Sequence, residues 1–494
     1  MSTTPSSDGA RIGSFRFVIM LDKFYVTTPI YYVNDKPHIG TAYTTIAADI
    51  LARFYRFSGI PTFFLTGTDE HGSKIERAAK EAGKSPEDFT REMAAKFSFA
   101  WDSLGIAPDD FIRTTEERHE KAVVKFLELL KASGKLYEGV YEGLYCVGHE
   151  AFLKDSDLDA TGKCPDHKTK PEKLKEKNWF FKLSDYQKVL EGRIESGEFV
   201  VEPDFRRNEV LAFIRQGLED VAISRPSVKW GIKLPWDERQ TVYVWVDALF
   251  NYVSALGYPD GENYKKFWPA DVHIVGKDII RFHCIIWPAL LEAASIPWPR
   301  KVFAHGFFTI DGQKISKSLG NVIDPNELVA KYGSDAVRYF LLREIPFGQD
   351  GDFSVAKLAA RYQSDLANGL GNLFSRLATL IAQNLDGQLP DVVESPRKFD
   401  EVDELIQEFR FHDALSRIWE EIAWANKYID ETKPWESAKK NPKLFTEVIA
   451  NLVALLYEIA KKLAPFMPET AEKIRDALSA EKIAKPEPLF PRIN

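Results

Sequence analysis

Apolar positions in the first part of the chain switch between two periods. Phe24 to Val26 and Tyr31 to Val33 are short β-rich runs, punctuated by Pro29 and Pro37. Ile46, Ile50, Leu51, Phe54 and Phe57 then recur at the spacing of one helix face. Gly59-Ile60-Pro61 ends that helix, and Thr62 to Leu65 reads as a short apolar strand. A second helix is expected from about Ser73 to Ala82. Strand, turn, helix and strand at this length make one unit of an open parallel α/β sheet.

The texture changes near Leu136. From there to Arg225 the chain is rich in Gly, Lys and Asp, with short aromatic strands at Tyr137 to Tyr145 and Trp179 to Leu183. This reads as an inserted module. The α/β texture returns at Thr241 to Val246, His273 to Val275 and Val302 to Ala304. Beyond Asp352 the pattern is helical over Leu358 to Asn384, Phe399 to Asp430 and Leu444 to Ala464, a bundle of four or five helices. The expected fold class is α/β: a Rossmann-type parallel-sheet domain with an insertion, followed by an all-α bundle. Its parts are an N-terminal extension at 1–22, the first half of the sheet domain at 23–135, a connective insertion at 136–225, the second half at 226–311, a loop region at 312–355 and the helical domain at 356–494.

Composition alters this picture little. Hydrophobic content of 45% and charged content of 28% are those of an ordinary soluble protein of several domains. A net charge of −8 argues against wholesale coating by nucleic acid, but leaves room for local Lys/Arg patches that bind phosphate. No run of about 18 apolar residues is present, so no membrane span is expected. Ser2 to Gly9 is polar and turn-rich, and Arg16 to Leu21 is too short for a signal core. The first residues are expected to be a disordered extension, with Met20 a candidate start. Three cysteines in 494 residues indicate a reducing compartment, and the cytoplasm is expected.

Two short segments carry candidate chemistry. Pro37-His38-Ile39-Gly40-Thr41 lies between a strand-like run and a helix. Lys314-Ile315-Ser316-Lys317-Ser318-Leu319-Gly320-Asn321 follows an Asp311-Gly312 turn. Each alone is more simply a turn or a solvated loop. A small residue at a helix start brings backbone N–H groups to a phosphate, and lysines on a mobile loop supply countercharge. In this order the two are similar to the paired signatures of class I aminoacyl-tRNA synthetases, which activate an amino acid with ATP and load it onto tRNA.

Five segments together resemble the methionyl-tRNA synthetase family. They are Tyr25 to Gly40, Thr66-Gly-Thr-Asp-Glu-His-Gly72, Tyr243-Val-Trp-Val-Asp-Ala248 with Tyr252, Val275-Gly-Lys-Asp278 through His283, and Lys314 to Asn321. The resemblance runs over roughly residues 20 to 490. It implies that Asp69 binds the α-amino group of L-methionine. Ile30, Tyr32, Trp245, Ala248, Tyr252, Phe282 and His283 would line the thioether pocket. Gly276 and Asp278 would hold the ATP ribose, while His38, Gly40, Thr41, Lys314 and Lys317 face the phosphates. His38, Lys314 and Lys317 are the expected catalytic residues, with Lys317 the chief transition-state stabiliser. Mg2+ should accompany ATP. Thr41 stands where the family usually has histidine; its hydroxyl can still donate, but it is never cationic.

Cys146-Val-Gly-His149 and Cys164-Pro-Asp-His167 have the spacing of a zinc knuckle. One structural Zn2+ is expected there, against the alternative of a decayed knuckle held by packing. Cys284 reads as a buried small residue. In the helical domain Asn372, Arg376 and Trp435 match the anticodon-reading positions of the family. The competing reading makes Trp435 a ring that merely closes the bundle. The partner is expected to be tRNA(Met), the chain a monomer, and the tRNA-binding β-barrel appended to many members absent. The competing functions are a tRNA-independent adenylyltransferase and a non-catalytic tRNA-binding relative.

Overall fold

The structure is a computed structural model that describes residues 21–147, 151–153, 155–165, 168–314, 321–391, 393–483 and 487–493. The expected N-terminal extension therefore lies almost wholly outside the described residues.

The core is a seven-stranded sheet whose described pairings are all parallel. Phe24–Thr27 lies in its middle. On one side of it run Thr62–Asp69 and then Asp110–Arg113; on the other run Val272–Gly276, Lys301–His305 and Val200–Glu202. The chain thus leaves the central strand in one direction first and returns later on the opposite side. Tyr31–Tyr32 continues beside the far end of Thr62–Asp69, with Tyr32 level with Asp69. The crevice at the carboxyl ends of Phe24–Thr27 and Val272–Gly276 is where the strand order reverses, the place where open α/β sheets bind ligands.

The helix Ile39–Phe57 starts beside this crevice and packs on one face of the sheet. Ala42, Ala47, Ala48 and Ala52 let it lie close to the sheet, and Ile46, Ile50, Leu51 and Phe54 fill the core beneath it. The apolar stripe ends one turn earlier than its sequence spacing suggests: Phe57, the last helical residue, is 59% exposed. The insertion is built on an antiparallel sheet in which Leu136–Cys146 pairs with Glu172–Phe181 over most of its length. Thr241–Val246 is not one strand. Asp237–Val242 is the central strand of a small antiparallel sheet, and a short helix, Val244–Leu249, follows at once.

Past Phe353 the described chain is helical. Val355–Arg361, a wide π-helical stretch Tyr362–Gly371, and Asn372–Asn384 follow one another without a break. Then come Glu401–Gln407, Phe411–Thr432, Pro434–Lys440, Pro442–Leu463 and Pro468–Ser479. Proline in the first turn opens the last three, where its missing N–H costs nothing. Lys433 takes a left-handed conformation (φ 43°) and turns the chain sharply before Trp435. No described helix is long and apolar enough to cross a membrane.

The helical region shares one hydrophobic core with the sheet domain. Arg338, fully buried on the helix Ser334–Glu344, marks the junction. Its guanidinium donates to Asp49 on the long helix at 2.7 Å, to Leu104 O at 3.3 Å, and to the carbonyls of Pro465 and Phe466 at 2.9 and 2.8 Å. Asp49 also receives Arg53 at 2.7 Å and the N–H of Ala107 at 3.0 Å. Each buried charge is paired and hydrogen-bonded, as burial demands.

Candidate active site

His38 is the N-cap of the long helix. Its Nδ1 accepts from the N–H groups of Gly40 at 3.0 Å and Thr41 at 3.4 Å. Thr41 reciprocates: its Oγ1 accepts from His38 N–H at 3.1 Å and donates to His38 O at 2.8 Å. This is a capping box built on histidine and threonine. An accepting Nδ1 leaves the ring proton on Nε2, and burial lowers the pKa of the ring, so it is a neutral donor. Gly40 has a specific steric reason: a Cβ there would sit 2.9 Å from His38 Cε1 and 3.0 Å from Nδ1. The N–H of Ile39 reaches Ile323 O at 3.2 Å, which joins this turn to the segment following the second signature.

Across the crevice, Gly276 is buried and Asp278 exposed. A Cβ at Gly276 would meet Asp278 Oδ1 at 2.6 Å and the Phe307 ring at 3.3 Å, so a larger residue would displace the Asp278 carboxylate from its place. Lys314 ends a short strand paired with Phe308–Ile310. The rest of the second signature as far as Gly320, Lys317 included, lies outside the described residues.

The expected amino-acid pocket gathers at the same end of the sheet. Ile30, Tyr32 and the buried Asp69 come from one side of the central strand, Phe282 and His283 from the other. Phe282–Ile286 is a π-helical turn, a widening often found at functional sites. Trp245 and Phe282 stack with centroids 3.8 Å apart and planes 10° apart. Tyr252 Oη lies 2.7 Å from His283 Nε2, and His283 Nδ1 lies 3.0 Å from Ile279 O. A carbonyl only accepts, so Nδ1 carries the proton and Tyr252 donates to Nε2. Burial pushes the pKa of His283 down to about 4, and that of neighbouring His273 well below the usual value. The wall of the crevice is therefore uncharged on this side.

Behind the pocket lies a polar network that the sequence did not reveal. Glu70, fully buried, receives Arg113 at 2.8 and 2.9 Å, Thr115 at 2.5 Å and Thr68 at 2.7 Å. Asp247, between Trp245 and Ala248, binds His71 Nδ1 at 2.7 Å and His119 Nε2 at 2.8 Å. His119 Nδ1 in turn lies 2.7 Å from Ser254 Oγ. Despite its burial, the imidazoles hold the Asp247 carboxyl down to about 2. Glu70, His71 and Asp247 all sit in the quoted motifs; for Asp247, a charged residue within the apolar run Tyr243 to Ala248 was the available signal.

In the helical region Asn372 is exposed and donates to Asn426 at 3.1 Å, and Arg376 pairs with Asp430 at 2.6 Å. Trp435, 47% exposed, opens the helix that packs beside theirs. In the insertion, Cys146 ends its strand, and Lys168 N–H reaches Cys164 O at 2.8 Å. Both thiols are buried. His149 and His167 lie outside the described residues, and among those described no group of three or more His, Cys, Asp or Glu side chains is arranged to hold a metal ion.

The model of the family described as tRNA synthetases class I (M) matches residues 24–173 and 167–378. That of the anticodon-binding domain of tRNA ligase matches 397–491. The methionine–tRNA ligase of Thermotoga maritima is 48% identical over 476 residues, covering 93% of this chain and 76% of that protein. The chain belongs to the methionyl-tRNA synthetase family. A second relative, the methionine–tRNA ligase of Rickettsia felis, is 45% identical over 478 residues, covering 94% of this chain and 93% of the other. Among solved structures of the methionyl-tRNA synthetase family, that from Mycobacterium tuberculosis in complex with methionyl-adenylate superposes with a TM-score of 0.90 at 37% identity, covering 96% of this chain and all of that one. The free-state form of the same enzyme gives 0.81 at 34% identity, covering 97% of this chain and all of that one.

Proposed function

We propose that this chain is a methionine–tRNA ligase: it condenses L-methionine with ATP to methionyl-adenylate and pyrophosphate, then transfers the methionyl group to the terminal adenosine of tRNA(Met). The observation that carries the reading is the two-sided crevice. It sets a buried carboxylate, Asp69, at the same end of the sheet as an uncharged aromatic and histidine wall, with the capped helix end of His38 above it. An α-ammonium suits the first and a thioether the second.

In the first step a methionine carboxylate oxygen attacks the α-phosphorus, and the bond to the bridging oxygen of pyrophosphate breaks. In the second, a ribose hydroxyl of the tRNA attacks the acyl carbon, its proton is lost, and AMP leaves. No protein nucleophile is needed; positioning and charge stabilisation carry the rate. His38 offers its Nε2–H to a phosphate oxygen. Lys314 and Lys317 are assigned the growing charge on the leaving pyrophosphate, with Mg2+ bound to the ATP. Gly276 and Asp278 would take the ribose.

Anticodon reading is assigned to Asn372, Arg376 and Trp435, which lie on adjoining helices with a half-exposed ring beside them, the kind of surface on which an unstacked base can rest. A structural Zn2+ is assigned to Cys146, His149, Cys164 and His167. Two buried thiols and two imidazoles suit that ion, which would staple the hairpin of the insertion. The reading places a monomer in the cytoplasm. ATP–pyrophosphate exchange with each of the twenty amino acids, without tRNA, tests it. Methionine alone should support exchange; another amino acid would overturn the pocket assignment. Exchange with none would leave the non-catalytic tRNA-binding alternative.

A further inference from the structure

His71 and Asp247 join two segments that carry opposite walls of the crevice. His71 leaves the end of the strand Thr62–Asp69, two residues beyond Asp69, and its carbonyl accepts from Tyr32 Oη at 2.9 Å. The backbone of this turn is held by Trp230, whose indole donates to Glu70 O at 2.6 Å and whose carbonyl receives Gly72 N–H at 3.0 Å. The His71 ring packs edge-on against Trp230, with centroids 5.5 Å apart, and reaches Asp247 on the helix Val244–Leu249. That helix presents Trp245 and Ala248, and Trp245 is stacked on Phe282. The two side chains of the pair are 4% and 1% exposed.

We propose that His71 and Asp247 form a positioning pair that fixes the spacing between the ammonium side and the thioether side of the methionine pocket, so that methionine affinity depends on their ionic bond. The inference rests on the assignment of this crevice to methionine. Neither group touches substrate; each acts through a neighbour, His71 through Asp69 and Tyr32, Asp247 through Trp245 and Ala248.

The pair should respond to pH through His71. Burial is the largest influence and opposes its charge, but Asp247, Glu120 at 3.8 Å and Glu70 together outweigh it, so its pKa is raised from the usual histidine value. The other groups facing it are His119, which shares Asp247 from the helix Glu117–Ala132, and Arg113, which balances Glu70 from the edge strand. A raised folded-state pKa means the ion pair is intact below the ordinary histidine value and is lost as pH rises through the raised one.

The test is pyrophosphate exchange from about pH 6 to 8.5, with separate KM values for methionine and ATP and kcat, on wild type, His71→Asn and Asp247→Asn. Asparagine at 71 keeps a donor where Nδ1 stood but carries no charge. In wild type, the KM for methionine should climb at alkaline pH while kcat and the KM for ATP hold. Both variants should raise the methionine KM roughly tenfold at pH 6, the worth of one charge-assisted bond over a neutral one. His71→Asn should also flatten the climb, leaving only the part due to the substrate's own ammonium. Wild-type methionine KM in His71→Asn, or an unchanged alkaline climb in it, overturns the proposal. So does a parallel loss in kcat and both KM values, which would make the pair a general folding element. Should Asp247→Asn fail to fold, His71→Asn decides alone. Absence of methionine-dependent exchange in wild type would instead refute the assignment of the crevice.

Discussion

Valine at position 41 deletes one hydroxyl and keeps the branched shape of threonine. That hydroxyl makes two bonds, both to the backbone of His38, at 3.1 and 2.8 Å. Losing this half of a capping box costs about 1 kcal/mol. His38 would still accept from Gly40 and Thr41 through Nδ1, so its ring is loosened rather than released. A decade of rate corresponds to about 1.4 kcal/mol; a disturbance of about 1 kcal/mol therefore limits the loss in kcat to below about tenfold. A hydroxyl donating directly to developing phosphate charge would be worth on the order of a hundredfold to a thousandfold. The assay is pyrophosphate exchange for Thr41→Val and Thr41→Ser, with denaturant unfolding beside it. The expected result is a loss below about tenfold for valine, with a lower unfolding midpoint, wild-type KM for methionine, and near-complete recovery with serine. A hundredfold loss in Thr41→Val at an unchanged midpoint would refute the structural role and return Thr41 to the phosphates.

Trp435→Ala should leave exchange intact and cripple aminoacylation of tRNA(Met), because the ring is half exposed and little packing is lost with it; a joint fall in both activities would make it a folding residue. Asp430→Asn should strengthen tRNA binding several-fold in a filter or anisotropy assay, since Arg376 is freed from an exposed pair that stabilises the protein by less than about 1 kcal/mol; weaker binding would mean that Asp430 orients Arg376 for its task. Metal analysis after purification without chelator should give about one zinc per chain, and Cys146→Ser should lose it with a lower melting temperature but normal exchange; a metal-free wild type would favour a knuckle held by packing.

The parallel sheet was legible because its strands are apolar runs with turn residues between them, and the long helix because its stripe has helical spacing. Thr241 to Val246 was misleading for a local reason. Alternating valines suit a strand, yet the strand stops at Val242 and a helix begins at Val244. What decides this is Asp247, whose helix is anchored by two histidines from distant elements. The same holds for Arg338 and Asp49, which are 289 positions apart and share no sequence window. The role of His38 was half readable. Its place before a helix was clear, but capping boxes commonly pair Ser or Thr with Glu or Gln, so a histidine–threonine version carries no familiar spacing signal. The motif residues near the pocket were legible only as a set; the pocket wall is neutral because burial lowers the pKa of His283, against the bond to Ile279 O that favours its proton.

Arg338 also sets an order of events during synthesis. Asp49 and Leu104 emerge from the ribosome before it, but Phe466 follows it by 128 positions. At about 5–20 residues per second, that gap lasts roughly 6–25 s. Through that interval the guanidinium has its carboxylate partner but lacks two of its carbonyl acceptors, and the surface around it stays open. The sheet domain of this chain therefore cannot close fully while its helical region is unfinished. A nascent chain halted before Pro465 should stay protease-sensitive around the helix Ser334–Glu344, and a helical region exchanged with that of a relative must bring its own Pro465-Phe466 turn to the same guanidinium.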